Sequence, residues 1–170
     1  LGHRRQAEAR GEALDALAAP QFEHYAVALA HRARLGEHLE RGWLQLFCVD
    51  SVDADSWYAT HRHPDERAQA HTRYDAYIER EVIPFTQHRN QNPFLIATGA
   101  SFGAYHAVAF ALRHPHLVGR VIGMSGMYDI RGMTDGYTDT DVYYANPPDF
   151  IAHESDQGRL EAIRRLTKMP

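Results

Sequence analysis

Apolar positions recur at three different spacings along this chain, and the spacings predict an alternation of helices and strands. From Gln21 to Arg41, the residues Phe22, Tyr25, Leu29, Ala33, Leu35 and Leu39 return at roughly the helical period, and Gly42 is placed to stop that helix. Residues 43–49 are apolar without alternation, the pattern of a strand buried on both faces. A polar loop leads to Pro64, Asp65 and Glu66. These read as the first turn of a helix that carries Ala68, His71, Tyr74, Ile78 and Val82 on one stripe and ends before Pro84. Residues 94–97 form a second apolar run and 118–124 a third, with an apolar helix from Gly103 to Arg113 between them and Pro115 after it. Strand, helix, strand, helix, strand in this order implies a parallel sheet with right-handed crossovers. The strands at 43–49, 94–98 and 120–124 are therefore expected side by side. Residues 125–155, with four tyrosines, two adjacent prolines and several Asp and Gly, show little periodicity and read as a long functional loop. Ser155 and Asp156 are placed to cap a last helix over 157–166. Residues 1–20 read as a poorly defined segment with some helical character over 6–19, weakened by Gly11, and residues 21–170 as one partial domain.

The length of 170 residues suits about one domain, and 44% hydrophobic with 24% charged residues is globular composition. A net charge of −4 disfavours nucleic acid as a partner. No apolar run reaches the roughly 18 residues of a membrane span, and no signal sequence is visible. The single Cys48 has no internal partner and reads as a buried strand thiol, which fits a reducing cytoplasm.

The chemistry is concentrated at Gly99-Ala100-Ser101-Phe102-Gly103, a G-x-S-x-G sequence with an apolar strand before it and an apolar helix after it. A serine at the tip of such a turn sits in a strained backbone, expected at positive φ, and presents its hydroxyl to solvent. The flanking Gly99 and Gly103 let strand and helix pass closely. The N–H of Phe102, at the helix start, can face a developing oxyanion. Asp50, Ser51 and Ser125 follow strand ends and should share the carboxyl edge of the sheet with Ser101. Asp129 stands near the same edge, and local backbone bonding is its favoured reading.

Other candidates carry less. His106 lies five residues after Ser101 on the same helix and reads as a packing histidine; His114 and His116 lie about 20 Å away at the far end of it. His61, His63 and Asp65 have metal-ligand spacing, but His63 and Asp65 also suit the start of a helix. The run Asp135 to Asp141 misplaces its glycine for a calcium loop. No nucleotide motif is present, so neither a cofactor nor a metal is expected.

Taken together, residues 42–51, 55–58, 98–104, 113–115 and 123–130 resemble the bacterial putative-esterase family, the esterase D-like branch of the α/β-hydrolases. The resemblance covers roughly residues 40 to 166. It implies an α/β/α three-layer sandwich with a mainly parallel sheet, incomplete here, a small-molecule ester as substrate, and Ser101 as the nucleophile of a serine esterase. The family's second oxyanion donor precedes this region, and its acid and histidine follow two further strands. No residue of this chain matches them. A catalytically inactive remnant acting as a binding domain is the rival reading, and a metal-dependent hydrolase using His61 and His63 a third. A sheet of so few strands is expected to be marginal or to associate into a homo-oligomer.

Overall fold

The computed structural model describes residues 33–167, so the expected helix over 6–19 and the first part of the 21–41 helix lie outside the described residues. By its contacts the chain divides into two units, residues 1–50 and 51–170.

The described part of the first unit holds helix α1, Gly36–Glu40, and then Gly42 at φ 70°, the left-handed conformation that ends a helix. Arg41 lies over the ring of Trp43, 4.8 Å from its centroid, and Trp43 is exposed. Residues 44–50 form no ladder, which corrects the strand expected over 43–49. An apolar run is a strand only when another strand takes its N–H and C=O groups, and the described residues offer none. Cys48 is accordingly half-buried rather than enclosed, and burial raises its thiol pKa.

The second unit contains α2 (Pro64–Tyr77), a π-helical turn (Ile78–Val82), α3 (Ile83–Arg89), β1 (Ile96–Ala100), α4 (Phe102–Arg113), β2 (Arg120–Met124), a 3₁₀ turn (Arg131–Met133), α5 (Thr140–Ala145), α6 (Pro147–Ala152) and α7 (Gln157–Leu166). The strands β1 and β2 pair in parallel, Ile96 with Arg120 through Ala100 with Met124, with α4 as the crossover. This is a mixed α/β fold with a two-stranded parallel sheet among the described residues, an incomplete α/β-hydrolase-like architecture.

Three local differences from the expected elements have identifiable causes. The helix begun at Pro64 does not end before Pro84. A π turn, in which the N–H of Ile83 reaches back five residues to the carbonyl of Ile78, opens the ladder just before the proline and lets the chain continue helically to Arg89. The segment 125–155 is not structureless. The Asp139 carboxylate accepts from the N–H of Val142 at 2.7 Å and starts α5, and Pro147 and Pro148 occupy the first turn of α6, where no N–H is required. The strands are not buried on both faces. Helix α4 packs on one face, but on the other Ile96, Ile122 and Met124 remain 45–48% exposed. The final helix is capped as expected, Asp156 accepting from the N–H of Arg159 at 2.7 Å.

Two apolar clusters hold α4. Trp57, Ala68, Phe102, Tyr105, Ala109, Ile130, Val142 and Ala145 pack around its first half. Ile83, Phe110, Ala111, Val118 and Leu166 pack around its second half. The small residues Ala104, Ala109 and Ala111 are fully buried, which lets neighbouring elements approach the α4 backbone closely.

Candidate active site

Strand β1 ends at Ala100 and α4 begins at Phe102, so a single residue, Ser101, makes the whole turn. Its backbone stands at φ 54°, ψ −122°, a conformation that costs a non-glycine residue about 1–3 kcal/mol. Two bonds hold it there. The Ser101 N–H donates to the carbonyl of Met124 at the end of β2, 2.9 Å away, and its carbonyl accepts from the N–H of Ala104 at 3.1 Å. The side chain is exposed and caps nothing. The hydroxyl is thus carried at the carboxyl edge of the sheet, one residue ahead of a helix N-terminus whose first N–H groups have no intrahelical acceptor.

The two glycines of the turn play unequal parts. A Cβ on Gly99 would stand 2.1 Å from the carbonyl oxygen of Gly103, whereas a Cβ on Gly103 would meet nothing within 4 Å. Phe102 is buried by its ring, stacked on Tyr105 at 4.9 Å and against Tyr58 at 5.1 Å, which fixes the start of the helix and so its own N–H.

The other expected edge residues divide. Ser125 follows β2 as Ser101 follows β1, is exposed, and also has positive φ, 52°. Because Ala100 and Met124 are register partners, these two serines leave adjacent strand ends. Asp129 is engaged locally. Its carboxylate accepts from the side chain of Arg131 and from the Arg131 N–H at 3.1 Å, and these bonds hold its pKa down to about 2. Ser51 donates to Asp53 at 2.7 Å. Asp50 lies exposed in the first unit. His63 accepts from the N–H of Asp65 at 3.3 Å as the cap of α2, and Asp65 accepts from Gln69 at 2.7 Å, so both have helix-terminal roles. Among the described residues no group of three or more His, Cys, Asp or Glu side chains is placed to share a metal ion.

His106 packs inside the protein as its place on the helix suggests, but the cluster it joins was not legible in the sequence. His106 Nε2 lies 2.7 Å from Asp53 Oδ1, with both side chains 12–15% exposed. Nε2 therefore carries the proton of that bond. The other nitrogen, Nδ1, is buried and has no partner among the described residues. The ring is enclosed by Phe102, Tyr105, His71 and Tyr74. Nδ1 is thus sealed inside the protein, and the Asp53–His106 pair ties the 51–59 segment to α4.

His71, on α2, is 1% exposed and packs against Trp57 and Tyr105. Arg113 Nη2 lies 3.4 Å from its Nε2, which makes Nε2 the acceptor and leaves the ring proton on the partnerless Nδ1. Burial first, then the Arg113 and His106 charges, holds its pKa well below the usual 6.5. The folded protein resists a proton that the unfolded chain accepts near that usual value. The stability due to neutral His71 is therefore full above pH 6.5 and is lost as pH falls below it, at up to about 1.4 kcal/mol per pH unit. Urea unfolding of the wild type against His71→Phe between pH 7.5 and 5.5 should show the variant's relative stability rising as pH falls. A pH-independent difference would mean that the ring takes up a proton in the fold as readily as in the unfolded chain.

A family model described as Putative esterase covers residues 47–161, more than half of the chain and the whole of the Ser101 turn. No curated protein and no solved structure matches.

Proposed function

Because the chain belongs to the Putative esterase family, whose function is ester hydrolysis, we propose that it is a serine esterase fold in which Ser101 is the nucleophile. The observation that carries this reading is the strained backbone of Ser101 at a one-residue strand-to-helix turn. A local outlier of this cost persists where the surroundings enforce it, and here the bond to Met124 does so. In the reaction, the Ser101 oxygen attacks the ester carbonyl of a small-molecule substrate as its proton passes to solvent. The alcohol leaves as the ester carbon–oxygen bond breaks, and water then hydrolyses the acyl-serine to free the acid. The N–H of Phe102 donates to the tetrahedral oxyanion, in the field of the α4 N-terminus. Ser125 borders the same edge.

A second reading has its own observation. Among the described residues no imidazole is hydrogen-bonded to Ser101, and His106, the nearest histidine on α4, is committed to Asp53. A serine hydroxyl without an adjacent base is a weak nucleophile. On this reading the fold binds an ester or a partner without turning it over.

A fluorophosphonate probe separates the two readings, with peptide mass mapping as the readout. Slow labelling confined to Ser101, and absent in Ser101→Ala, supports the first. No labelling after prolonged exposure, in a chain shown to be folded, supports the second.

A further inference from the structure

The far end of α4 from Ser101 borders an open cleft of about 520 Å³ between α2, α5, α6 and α7. Twelve residues at about 1.5 Å each put the two ends of the helix some 18 Å apart, so the cleft is separate from the serine turn. Its size is that of a small-ligand site.

The charges of the cleft are answered within it, with one exception. Asp75 is paired with Arg113 at 2.5 Å and with His114 at 2.9 Å. Glu154 is paired with Arg159 at 2.7 Å, and the guanidinium of Arg159 also donates to the carbonyls of Arg113 and Leu112. His153 Nδ1 lies 2.8 Å from the carbonyl of Asp149 and 3.2 Å from the Tyr143 hydroxyl. Asp141 has no cationic partner among the described residues. It stands in the first turn of α5, where the helix N-terminus favours a negative charge, and one of its oxygens accepts from the Thr72 hydroxyl at 3.0 Å, which orients the carboxylate. Beside it stands an aromatic wall. Tyr143 and Tyr144 meet edge to face at 5.1 Å, and Phe150 lies 6.3 Å from Tyr144. Tyr144 is 53% exposed.

We propose that this cleft binds a small organic cation, an alkylammonium or quaternary ammonium group, between the Asp141 carboxylate and the exposed ring of Tyr144. The carboxylate supplies the charge, and the electron-rich ring suits a weakly hydrated cation. An anion is disfavoured, because both arginines of the cleft already have carboxylate partners. The chain's net charge of −4 favours approach of a cation as well.

The test is an NMR titration of the full chain with tetramethylammonium chloride, with tert-butanol as the neutral probe of similar shape and sodium acetate as the anionic one. The expected result is saturable shifts of the Thr72, Asp141 and Tyr144 amides with tetramethylammonium alone. Asp141→Asn should weaken binding about tenfold, and Tyr144→Ala severalfold. Amide spectra of each variant without ligand check its fold, and Tyr144→Ala decides the matter if Asp141→Asn does not fold. The absence of saturable shifts with the cation overturns the proposal, as does equal binding of tert-butanol or acetate, or undiminished binding by the folded variants. Ser101→Ala leaves this binding unchanged, so the result is independent of the ester chemistry.

Discussion

Replacing Gly99 by alanine should destabilise the protein by about 3 kcal/mol or more, while the same replacement at Gly103 should be neutral or stabilising. The opposite signs follow from where each Cβ falls. At Gly99 it would lie 2.1 Å from the Gly103 carbonyl oxygen, 2.3 Å from the carbonyl carbon and 2.8 Å from the Ala104 nitrogen. All three are backbone atoms of the first turn of α4, so no side chain can swing away. The helix cannot slide either, because Ala104 and Tyr105 in that turn are fully buried and Phe102 is nearly so. The clash must be met by moving α4 off β1 or by remaking the Ser101 turn, and each gives up packing worth a large share of a total stability of ~5–15 kcal/mol. At Gly103 the new methyl meets nothing within 4 Å and sits inside a helix, where alanine is favoured over glycine by up to about 1 kcal/mol. Urea unfolding of both variants checks this. A Gly99→Ala protein as stable as the parent would show that the close passage of strand and helix is not maintained in solution.

That contrast also marks what the sequence could reveal. The turn at Ser101 was legible because its parts are contiguous: an apolar run, a glycine, the serine, and an apolar helix within fourteen residues. The start of α2 at Pro64 and the cap of α7 at Asp156 were legible for the same reason, since a proline or a capping carboxylate acts on the next three residues. Elements that depend on distant partners were not. The run 43–49 has strand composition, but composition cannot supply the neighbouring strand that would make it one. The π turn at Ile78–Val82 converts a proline that should end a helix into one that the helix passes. Asp53 and His106 are 53 residues apart, and no pattern local to either forecasts their 2.7 Å contact. Asp141 and Thr72, 69 residues apart, are the same case.

The largest functional effect should appear in ester hydrolysis. This chain should cleave a short-chain nitrophenyl ester orders of magnitude more slowly than an esterase with a complete triad. Among the described residues no base is bonded to the Ser101 hydroxyl, and a serine without one retains only the contribution of oxyanion donors and binding, about 10³–10⁴-fold over water when those are intact. Here His106 is the histidine most open to suspicion, and its Nδ1 is buried while its Nε2 bonds to Asp53. Two variants divide the possibilities. Ser101→Ala should remove whatever ester cleavage exceeds the buffer rate. His106→Gln should leave that cleavage within about twofold and instead lower stability by about 2 kcal/mol, because it exchanges a largely buried charge-assisted bond to Asp53 for a weaker one. Steady-state rates and urea unfolding on the same preparations give both numbers. If His106→Gln abolishes hydrolysis in a chain that keeps its fold, Nδ1 opens toward Ser101 during turnover and the pair with Asp53 is part of the catalytic apparatus. If fast hydrolysis survives Ser101→Ala, the strained turn is not the site of attack.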